Sequence, residues 1–279
     1  MPLVNGKLLV DIIKERNVIG GAFNTTNLET TVAILDAIEE SNVPSFIQIA
    51  PSNIDLAGYK GIVDLVNSRA IEMDTPVSLH LDHGKSLDDF KQAVRAGFNS
   101  VMIDGAEFDF EENIRYTKQA VDFAKSYGVL VEAELGAIKG KEDDHFSESD
   151  SKTNPEQVRE YVERTGCDIL AISVGNVHGM DEKPNIDFEL LKQISDISPV
   201  PLVIHGGSGI SPQELNKLRE FNVVKINIAS ELRQSYIRSI GEAYNKNQDE
   251  ANLIKVLIDA KNSVYKKTLE KINELNYAQ

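Results

Sequence analysis

Residues 201–230 read PLVIHGGSGISPQELNKLREFNVVKINIAS, with two apolar runs on either side of a helical segment. The runs at 201–205 (PLVIH) and 223–228 (VVKINI) are almost continuously apolar, as parallel strands covered on both faces require. Between them, Ser211 followed by Pro212 is typical of a helix start. This stretch therefore predicts a strand–helix–strand unit with two parallel strands.

The same alternation of apolar run and helical segment extends over the rest of the chain. Eight strands, each followed by a helix, within 279 residues are the arrangement of a (β/α)8 or TIM barrel. The alternative is an open, doubly wound sheet, but the glycines at 20–24 (GGAFN) lack its G-x-G-x-x-G spacing. The other six apolar runs lie at 18–23, 45–49, 77–80, 100–103, 129–134 and 169–173.

The predicted fold class is thus α/β, with one barrel domain over residues 1–279. No Pro- or Ser-rich linker divides the chain. A long polar connection at 135–157 is more typical of an active-site loop than of a domain boundary. Residues 247–279 are predicted as a C-terminal helical extension, with Leu253 and Ala260 on its apolar face.

Charge and cysteine content restrict the classes of partner and compartment. The 29 Lys and Arg residues against 44 Asp and Glu residues give a net charge of −15. Nucleic acids and anionic membranes need a basic face, so neither is expected as a partner. The single Cys167 excludes an internal disulfide, and residues 1–17 lack the apolar region of a signal peptide, so we expect a cytoplasmic protein.

Histidines and carboxylates cluster at the predicted strand ends. His83 and His205 follow strands directly, and His178 follows the sixth strand after a short loop. The carboxyl ends of barrel strands meet at one face, so three imidazoles could bind a metal ion that keeps an open coordination position. Any one acid at this level could equally be a helix cap or a partner of a ligand. The acids concerned are Asp82, Asp104, Glu132 and Glu134.

A glycine-rich turn follows the predicted seventh strand. Residues 205–209 (HGGSG) precede a helix, and the eighth strand ends in Asn-Ile-Ala-Ser at 227–230, immediately before another helix. Backbone N–H groups in such turns and at helix starts bind anions, and the loops after strands seven and eight are a recurrent phosphate site in barrels. A tight turn without a ligand is the alternative for the glycines alone.

Seven strings carry a resemblance to a known family over essentially the whole chain. They are HLDHG at 80–84, SVMIDG at 100–105, VEAELG at 131–136, GKEDD at 140–144, VGNVHG at 174–179, HGGSGI at 205–210 and KINIASEL at 225–232. In this order they resemble the class II, metal-dependent ketose-bisphosphate aldolases, most closely the tagatose-/fructose-1,6-bisphosphate group.

The resemblance implies roles for five residues. His83, His178 and His205 would bind one catalytic Zn²⁺. Asp82 would protonate the carbonyl oxygen of the aldehyde during condensation, and Glu142 would abstract a proton from dihydroxyacetone phosphate. The expected reaction is the cleavage of a ketose 1,6-bisphosphate into dihydroxyacetone phosphate and an aldehyde such as glyceraldehyde 3-phosphate.

The resemblance also concerns the surroundings of the metal and the substrate phosphate. It makes Asp104, Glu132 and Glu134 alternative metal ligands or hydrogen-bond partners of the ligand histidines. It allows a monovalent cation in addition to zinc, and it implies a homodimer or homotetramer. The residues expected to bind the substrate phosphate are Gly179, Gly206, Gly207, Ser208, Asn227, Ile228, Ala229 and Ser230.

Several positions depart from the family pattern, mostly on the aldehyde side. Ala106-Glu107 stands where the family commonly has Ser-His, and Ala50 stands where relatives have Ser or Thr. Lys183 follows a segment one residue short, and residues 248–251 lack the usual Asp-Pro-Arg. Ala50 and Ala106 suggest a non-catalytic sugar-phosphate-binding subunit as one alternative. A metal-dependent sugar-phosphate isomerase or epimerase on the same fold is another. Schiff-base chemistry on a lysine such as Lys225 would replace the metal-dependent reaction.

Overall fold

The computed structural model describes residues 2–84, 86–142, 145–147 and 151–277, without the side chains of 141–142 and 145–147. Eight of its strands are parallel and close into a barrel, which confirms the predicted fold class. The strands are β1 (Gly20–Asn24), β2 (Ser45–Ile49), β3 (Val77–Gly84), β4 (Ser100–Ile103), β5 (Leu130–Leu135), β6 (Gly140–Glu142), β7 (His145–Ser147), β8 (Ile169–Ile172), β9 (Leu202–Ile204) and β10 (Val223–Ile228).

Around the barrel the strands follow the order β1-β2-β3-β4-β5-β8-β9-β10, with β10 paired to β1. The remaining two, β6 and β7, form an antiparallel hairpin within the long polar connection. The helices are α1 (Gly6–Glu15), α2 (Leu28–Ser41), α3 (Pro51–Ala70), α4 (Leu87–Ala96), α5 (Phe110–Lys125), α6 (Pro155–Thr165), α7 (Phe188–Ile197), α8 (Pro212–Lys217), α9 (Ser230–Lys246) and α10 (Leu253–Asn276).

At most α-helix starts, the side chain of the preceding residue accepts a hydrogen bond from a backbone N–H group of the first turn. Ser211 and Glu214 form a reciprocal capping box at α8, as the sequence predicts. Among the helices described, only α3 and α9 begin without a side-chain cap, at Ala50 and Ala229. At α3, Pro51 in the first turn removes one unpaired N–H group, whereas α9 starts with Ser230.

The hydrophobic core has an outer part between strands and helices and an inner part inside the barrel. At the amino ends of the strands, α1 closes the barrel and buries Leu9, Val10 and Ile13 against inward-facing side chains such as Phe46 and Met102. Toward the carboxyl ends, the interior side chains become polar and remain buried. Barrel interiors are usually filled with branched apolar residues, so this polar layer indicates where function lies.

The C-terminal helix α10 packs against α2 and α9. Its buried face begins at Ala260 and continues through Val264 and Ile272, whereas Leu253 at its start is 66% exposed. Within the described ranges, every helix is either too short or too polar to cross a membrane.

Candidate active site

Three histidines meet at the carboxyl end of the barrel. His83 lies in β3, His178 in the loop after β8, and His205 directly after β9. Each offers a ring nitrogen within 4.8 Å of the others, and all three side chains are buried. His83 Nε2 lies 3.0 Å from His205 Nδ1. The structure thus brings together the three histidines proposed from the sequence as metal ligands.

The outward nitrogens of two of these rings contact carboxylates. Asp104 Oδ2 lies 2.9 Å from His83 Nδ1, and Glu132 Oε1 lies 2.8 Å from His205 Nε2. Carboxylates in these positions fix the tautomer of a ligand histidine and direct its other nitrogen toward a metal. Asp104 is itself held by the Ala106 N–H, which donates to Asp104 Oδ1 at 3.0 Å.

The surroundings of His83 and His205 shift the pKa values of the two histidines in opposite directions. Burial lowers the pKa of His83, but Asp82 and Asp104 outweigh this effect and raise it to about 10. Burial lowers the pKa of His205 well below its ordinary value, and His83 and Lys225 lower it further. Histidine must be neutral to bind a metal. The lowered pKa keeps His205 neutral, whereas His83 would release a proton when the metal binds.

His83 also has an unusual backbone. Its φ of 44° lies in the left-handed region, which residues other than glycine rarely adopt. The β3–β4 pairing shifts register between Leu81 and Gly84, so the irregularity falls on the two residues between them. Strained backbone of this kind concentrates at functional sites, where the surrounding structure holds it in place.

A second group of possible ligands shares His83 with the first. His83, Asp104 and Glu134 offer ligand atoms within 4.8 Å of one another. Glu134 is buried, and its Oε2 has no hydrogen-bond partner among the described residues. Burial, reinforced by Asp104, raises the pKa of Glu134 well above its ordinary value. A buried carboxylate oxygen beside three imidazoles fits a bound cation, so the residues present suit a divalent metal.

Asp82 lies at the centre of a set of side-chain amides. Asn24 and Gln48 donate to its Oδ2 at 3.3 and 3.0 Å, and Asn227 donates to its Oδ1 at 2.9 Å. The Asp82 side chain is fully buried. These three donors come from β1, β2 and β10, so a large part of the barrel fixes the orientation of one carboxylate.

Sequence reasoning missed Asn24 and Gln48. Gln48 interrupts the apolar run SFIQI at 45–49, and Asn24 ends β1, beside Gln48 in the strand register. A fully buried glutamine in a barrel strand needs a polar partner, which is the signal that could have identified it.

Further buried polar residues lie inside the barrel beneath the histidines. Lys225 Nζ lies 3.0 Å from Glu132 Oε2 and donates to Asn227 Oδ1 at 2.6 Å. His80 Nδ1 lies 2.6 Å from Ser100 Oγ. Glu132 therefore faces both His205 and Lys225 and belongs to neither group of potential metal ligands.

The glycine-rich turn forms a compact loop next to the metal ligands. Gly206 has a φ of 70°, and a Cβ there would lie 1.9 Å from Val177 O, so only glycine allows this close approach between two loops. Ser208 lies in a 3₁₀ turn (Gly207–Gly209), and the N–H of Glu231 in α9 points to its Oγ at 3.5 Å. The uncapped start of α9 and the turn thus adjoin, as a phosphate site requires.

The hairpin of β6 and β7 begins on the backbone of a proposed metal ligand. The N–H of His178 donates to Lys139 O at 2.8 Å, and Gly140 forms a parallel bridge with His178. A Cβ on Gly140 would lie 2.3 Å from His178 O. Glu142 ends β6, and its side chain lies outside the described part of the structure.

Other positions that depart from the family pattern fall around the mouth of the barrel. Glu107 and Lys183 are exposed, whereas Ala50 is buried at the start of α3. Glu107 lines a cavity of about 210 Å³ with His83, Asp104 and other residues. These positions therefore surround the site without adding a ligand to the histidines.

Three imidazoles and buried carboxylates at the carboxyl ends of the strands are typical of (β/α)8 enzymes that bind a metal ion. The family model of class II fructose-bisphosphate aldolase matches residues 4–279. The chain belongs to the class II fructose-bisphosphate aldolase family, whose members are metal-dependent lyases. The resemblance deduced from the seven strings is confirmed.

Individual relatives agree with this assignment. A protein of Bacillus subtilis (strain 168) is 37% identical over 278 residues, which cover 98% of each chain. A fructose-bisphosphate aldolase of Staphylococcus aureus is 36% identical over 98% of this chain and 97% of its own. The crystal structure of the YdjI aldolase from Escherichia coli K12 superposes with a TM-score of 0.86 at 34% identity, over 98% of this chain and 97% of that one.

Proposed function

We propose that the protein catalyses metal-dependent aldol cleavage and condensation of a ketose 1,6-bisphosphate of the fructose or tagatose type. The products of cleavage would be dihydroxyacetone phosphate and an aldehyde such as glyceraldehyde 3-phosphate. The observation that carries this proposal is the convergence of His83, His178 and His205 on one point, with Asp82 adjacent in sequence to the first. Cleavage leaves an enediolate and releases a hydroxyl proton, so it needs both a cation and a base.

His83, His178 and His205 would hold the metal, for which we propose a single Zn²⁺. When bound, it supplies a Lewis acid that stabilises negative charge on the enediolate oxygens. Asp104 and Glu132 would orient two of the ligand rings, and Glu134 with Asp104 offers an alternative metal position. We also propose that a monovalent cation takes part. The test compares the activity in potassium buffer with the activity in tetramethylammonium buffer.

Asp82 would accept the hydroxyl proton of the substrate during cleavage and return it to the aldehyde oxygen during condensation. Its three amide partners donate to it, so its carboxylate is held as an acceptor in one orientation. A fixed base of this kind reduces the reorganisation needed when the proton moves.

Glu142 would remove the proton from dihydroxyacetone phosphate in the condensation direction. Two observations support this role: Glu142 ends β6, and that strand starts on the backbone of His178. Glu142 lies only two positions after Gly140, which pairs with the backbone of His178. The same strand would therefore bring the proton acceptor near a proposed metal ligand.

The phosphate of the dihydroxyacetone half would lie between three loop segments. These are Gly179, the turn at 206–208 and the segment 227–230, which joins the end of β10 to the start of α9. The positive φ of Gly179 and Gly206 and the absence of a side-chain cap at Ala229 support this position. The side chain of Asn227 points to Asp82 instead, so this residue would link phosphate binding to the base.

A second anion position is suggested by a cleft of about 140 Å³ between β1 and α9. Asn24, which contacts Asp82, and Arg233 in the first turn of α9 both line it. We assign the phosphate of the aldehyde half to this cleft. The variant R233M should raise the KM for a ketose 1,6-bisphosphate more than the KM for the corresponding 1-phosphate.

We further propose that the chain is one barrel domain with residues 247–279 as its extension, and that it forms a homodimer or homotetramer in the cytoplasm. The outer face of α9 and the start of α10 expose large apolar side chains, which a second copy would cover. They are Ile237, Tyr244, Leu253, Ile254 and Ile258. Light scattering of the wild type and of I254E tests the assembly, and cell fractionation tests the compartment.

The direct test of the proposed activity is a panel of ketose phosphates, with enzyme-coupled detection of dihydroxyacetone phosphate. We expect product from at least one bisphosphate, abolished by a chelator and restored by Zn²⁺. D82N should lower kcat by about 10²- to 10⁴-fold while the protein still binds the metal. Products with an unchanged carbon skeleton would instead indicate an isomerase, and binding without turnover would indicate a non-catalytic subunit.

A further inference from the structure

The phosphate-binding end of α9 carries an acid of its own. Glu231 follows Ser230, and its N–H points to Ser208 in the glycine-rich turn. Helix starts attract carboxylates as well as phosphates, because the same unpaired N–H groups and the same dipole favour both. An unrestrained Glu231 would therefore compete with the substrate phosphate for the start of its own helix.

The structure restrains this carboxylate through the C-terminal helix. Lys271 in α10 places its Nζ 2.8 Å from Glu231 Oε2 and 2.8 Å from Glu274 Oε2. The side chain of Lys271 is only 5% exposed, and that of Glu231 only 17%. This pair is the contact that joins a lysine of α10 to the first turn of the phosphate-binding helix.

Both members of the pair depend on each other for their charge. Burial raises the pKa of Glu231, whereas the hydrogen bond and charge of Lys271 lower it. Burial lowers the pKa of Lys271, but Glu231 and Glu274 outweigh this effect and raise it. Removal of Lys271 would leave the Glu231 carboxylate buried without its partner, whereas Lys271 keeps Glu274 as a partner when Glu231 is removed.

We propose that Lys271 is a positioning residue for the phosphate site: it holds the Glu231 carboxylate away from the uncapped N-terminus of α9 and neutralises it. This inference rests on the proposed function, because it assumes that the phosphate binds at this helix start. It gives α10 a role in ligand binding in addition to packing, since a residue 40 positions further along the chain keeps the anion site open.

The test is the affinity of the metal-loaded full chain for 2-phosphoglycolate and for inorganic phosphate, measured by calorimetry. K271M should weaken binding of both probes by about ten-fold, because an unpaired carboxylate then faces the anion. Adding E231Q to K271M should restore the affinity to within about three-fold of the wild type, since the competing charge is gone. K271R should retain wild-type affinity.

Two comparisons separate this role from simple packing. K255M removes an exposed lysine of the same helix, paired with Glu250, and should leave the affinity unchanged. If K271M does not fold, the double variant is compared with E231Q alone: equal affinities support the inference, and a ten-fold difference contradicts it.

The outcomes also distinguish this inference from the proposed function. If K271M binds both probes as tightly as the wild type, or if E231Q fails to rescue it, the role of Lys271 is wrong while the phosphate site stands. If the wild type binds neither probe, the phosphate site itself is wrong, and the inference fails with it.

Discussion

Lys225 Nζ lies 3.0 Å from Glu132 Oε2, and both side chains are fully buried inside the barrel. Glu132 turns its other oxygen to His205, so one carboxylate joins an interior lysine to a proposed metal ligand. A lysine with a buried carboxylate and Asn227 as partners is placed to orient its neighbours, which argues against a Schiff base at Lys225.

The variant K225M should destabilise the fold and leave the His205 ring less firmly oriented. Removal of one partner of a buried ion pair costs about 3–5 kcal/mol, because the other charge stays buried. Chemical denaturation measures the unfolding free energy. Adding E132Q should recover part of the loss, whereas K192M, at an exposed pair with Asp196, should leave stability close to the wild type.

The same lysine provides a test of the reaction class. Borohydride reduction in the presence of substrate should leave the mass of the wild type unchanged, since no imine forms. A mass increase located at Lys225 would contradict the metal-dependent proposal.

Metal removal should lower stability as well as activity. A ligand that binds only the folded state raises its stability according to its concentration and affinity. We expect a chelator to lower the melting temperature and Zn²⁺ to restore it, and we expect H178A to bind less metal than the wild type. A wild-type melting temperature that is insensitive to both reagents would argue against a metal at these histidines.

The variant Q48L tests whether the amides around Asp82 contribute to catalysis. Loss of one donor should let the carboxylate shift and lower kcat by about 10- to 100-fold. Metal affinity should stay within about two-fold of the wild type, because Gln48 touches none of the ligands. Q213L, at an exposed position of α8, serves as the matched control. A parallel loss of metal in Q48L would assign Gln48 a structural role instead.

The single cysteine should be unreactive in the folded protein. Cys167 is buried, and burial raises the pKa of its thiol to about 12. Because the thiolate is the reactive species and the side chain is buried, a thiol reagent at pH 8 should leave Cys167 unmodified in the native protein and modify it after unfolding. Rapid modification of the native protein at pH 8 would show that the segment before β8 opens.

The fold and the metal ligands could be predicted from sequence because both rest on local signals. Seven of the eight apolar runs correspond to strands within a residue or two, such as 169–173 and β8 (Ile169–Ile172), whereas β3 (Val77–Gly84) continues four residues past the run at 77–80. The position of His205 after a strand placed it at the catalytic end without knowledge of any contact. The structure then brings it to His83, across 122 residues of sequence.

What could not be predicted depends on pairings between distant elements. Gln48 stands out as a polar residue in an apolar run, but only the closed barrel shows that it and Asn24 donate to Asp82. The exposure of Leu253 could not be deduced from periodicity, because the fully buried face of α10 begins only at Ala260. The link between Lys271 and Glu231 likewise exists only because α10 returns to the start of α9.

Helix α1 closes the barrel at the amino ends of the strands, so the two ends of the interior differ. With Leu9 and Ile13 fully buried at that end, the buried polar layer lies toward the opposite mouth. Under the proposed function, substrate and products would enter and leave at that mouth, next to the hairpin whose first residue pairs with His178. Under the proposed function, the side chains at this mouth would set the local electrostatic potential that a bisphosphate meets, within the field of a chain whose net charge is −15.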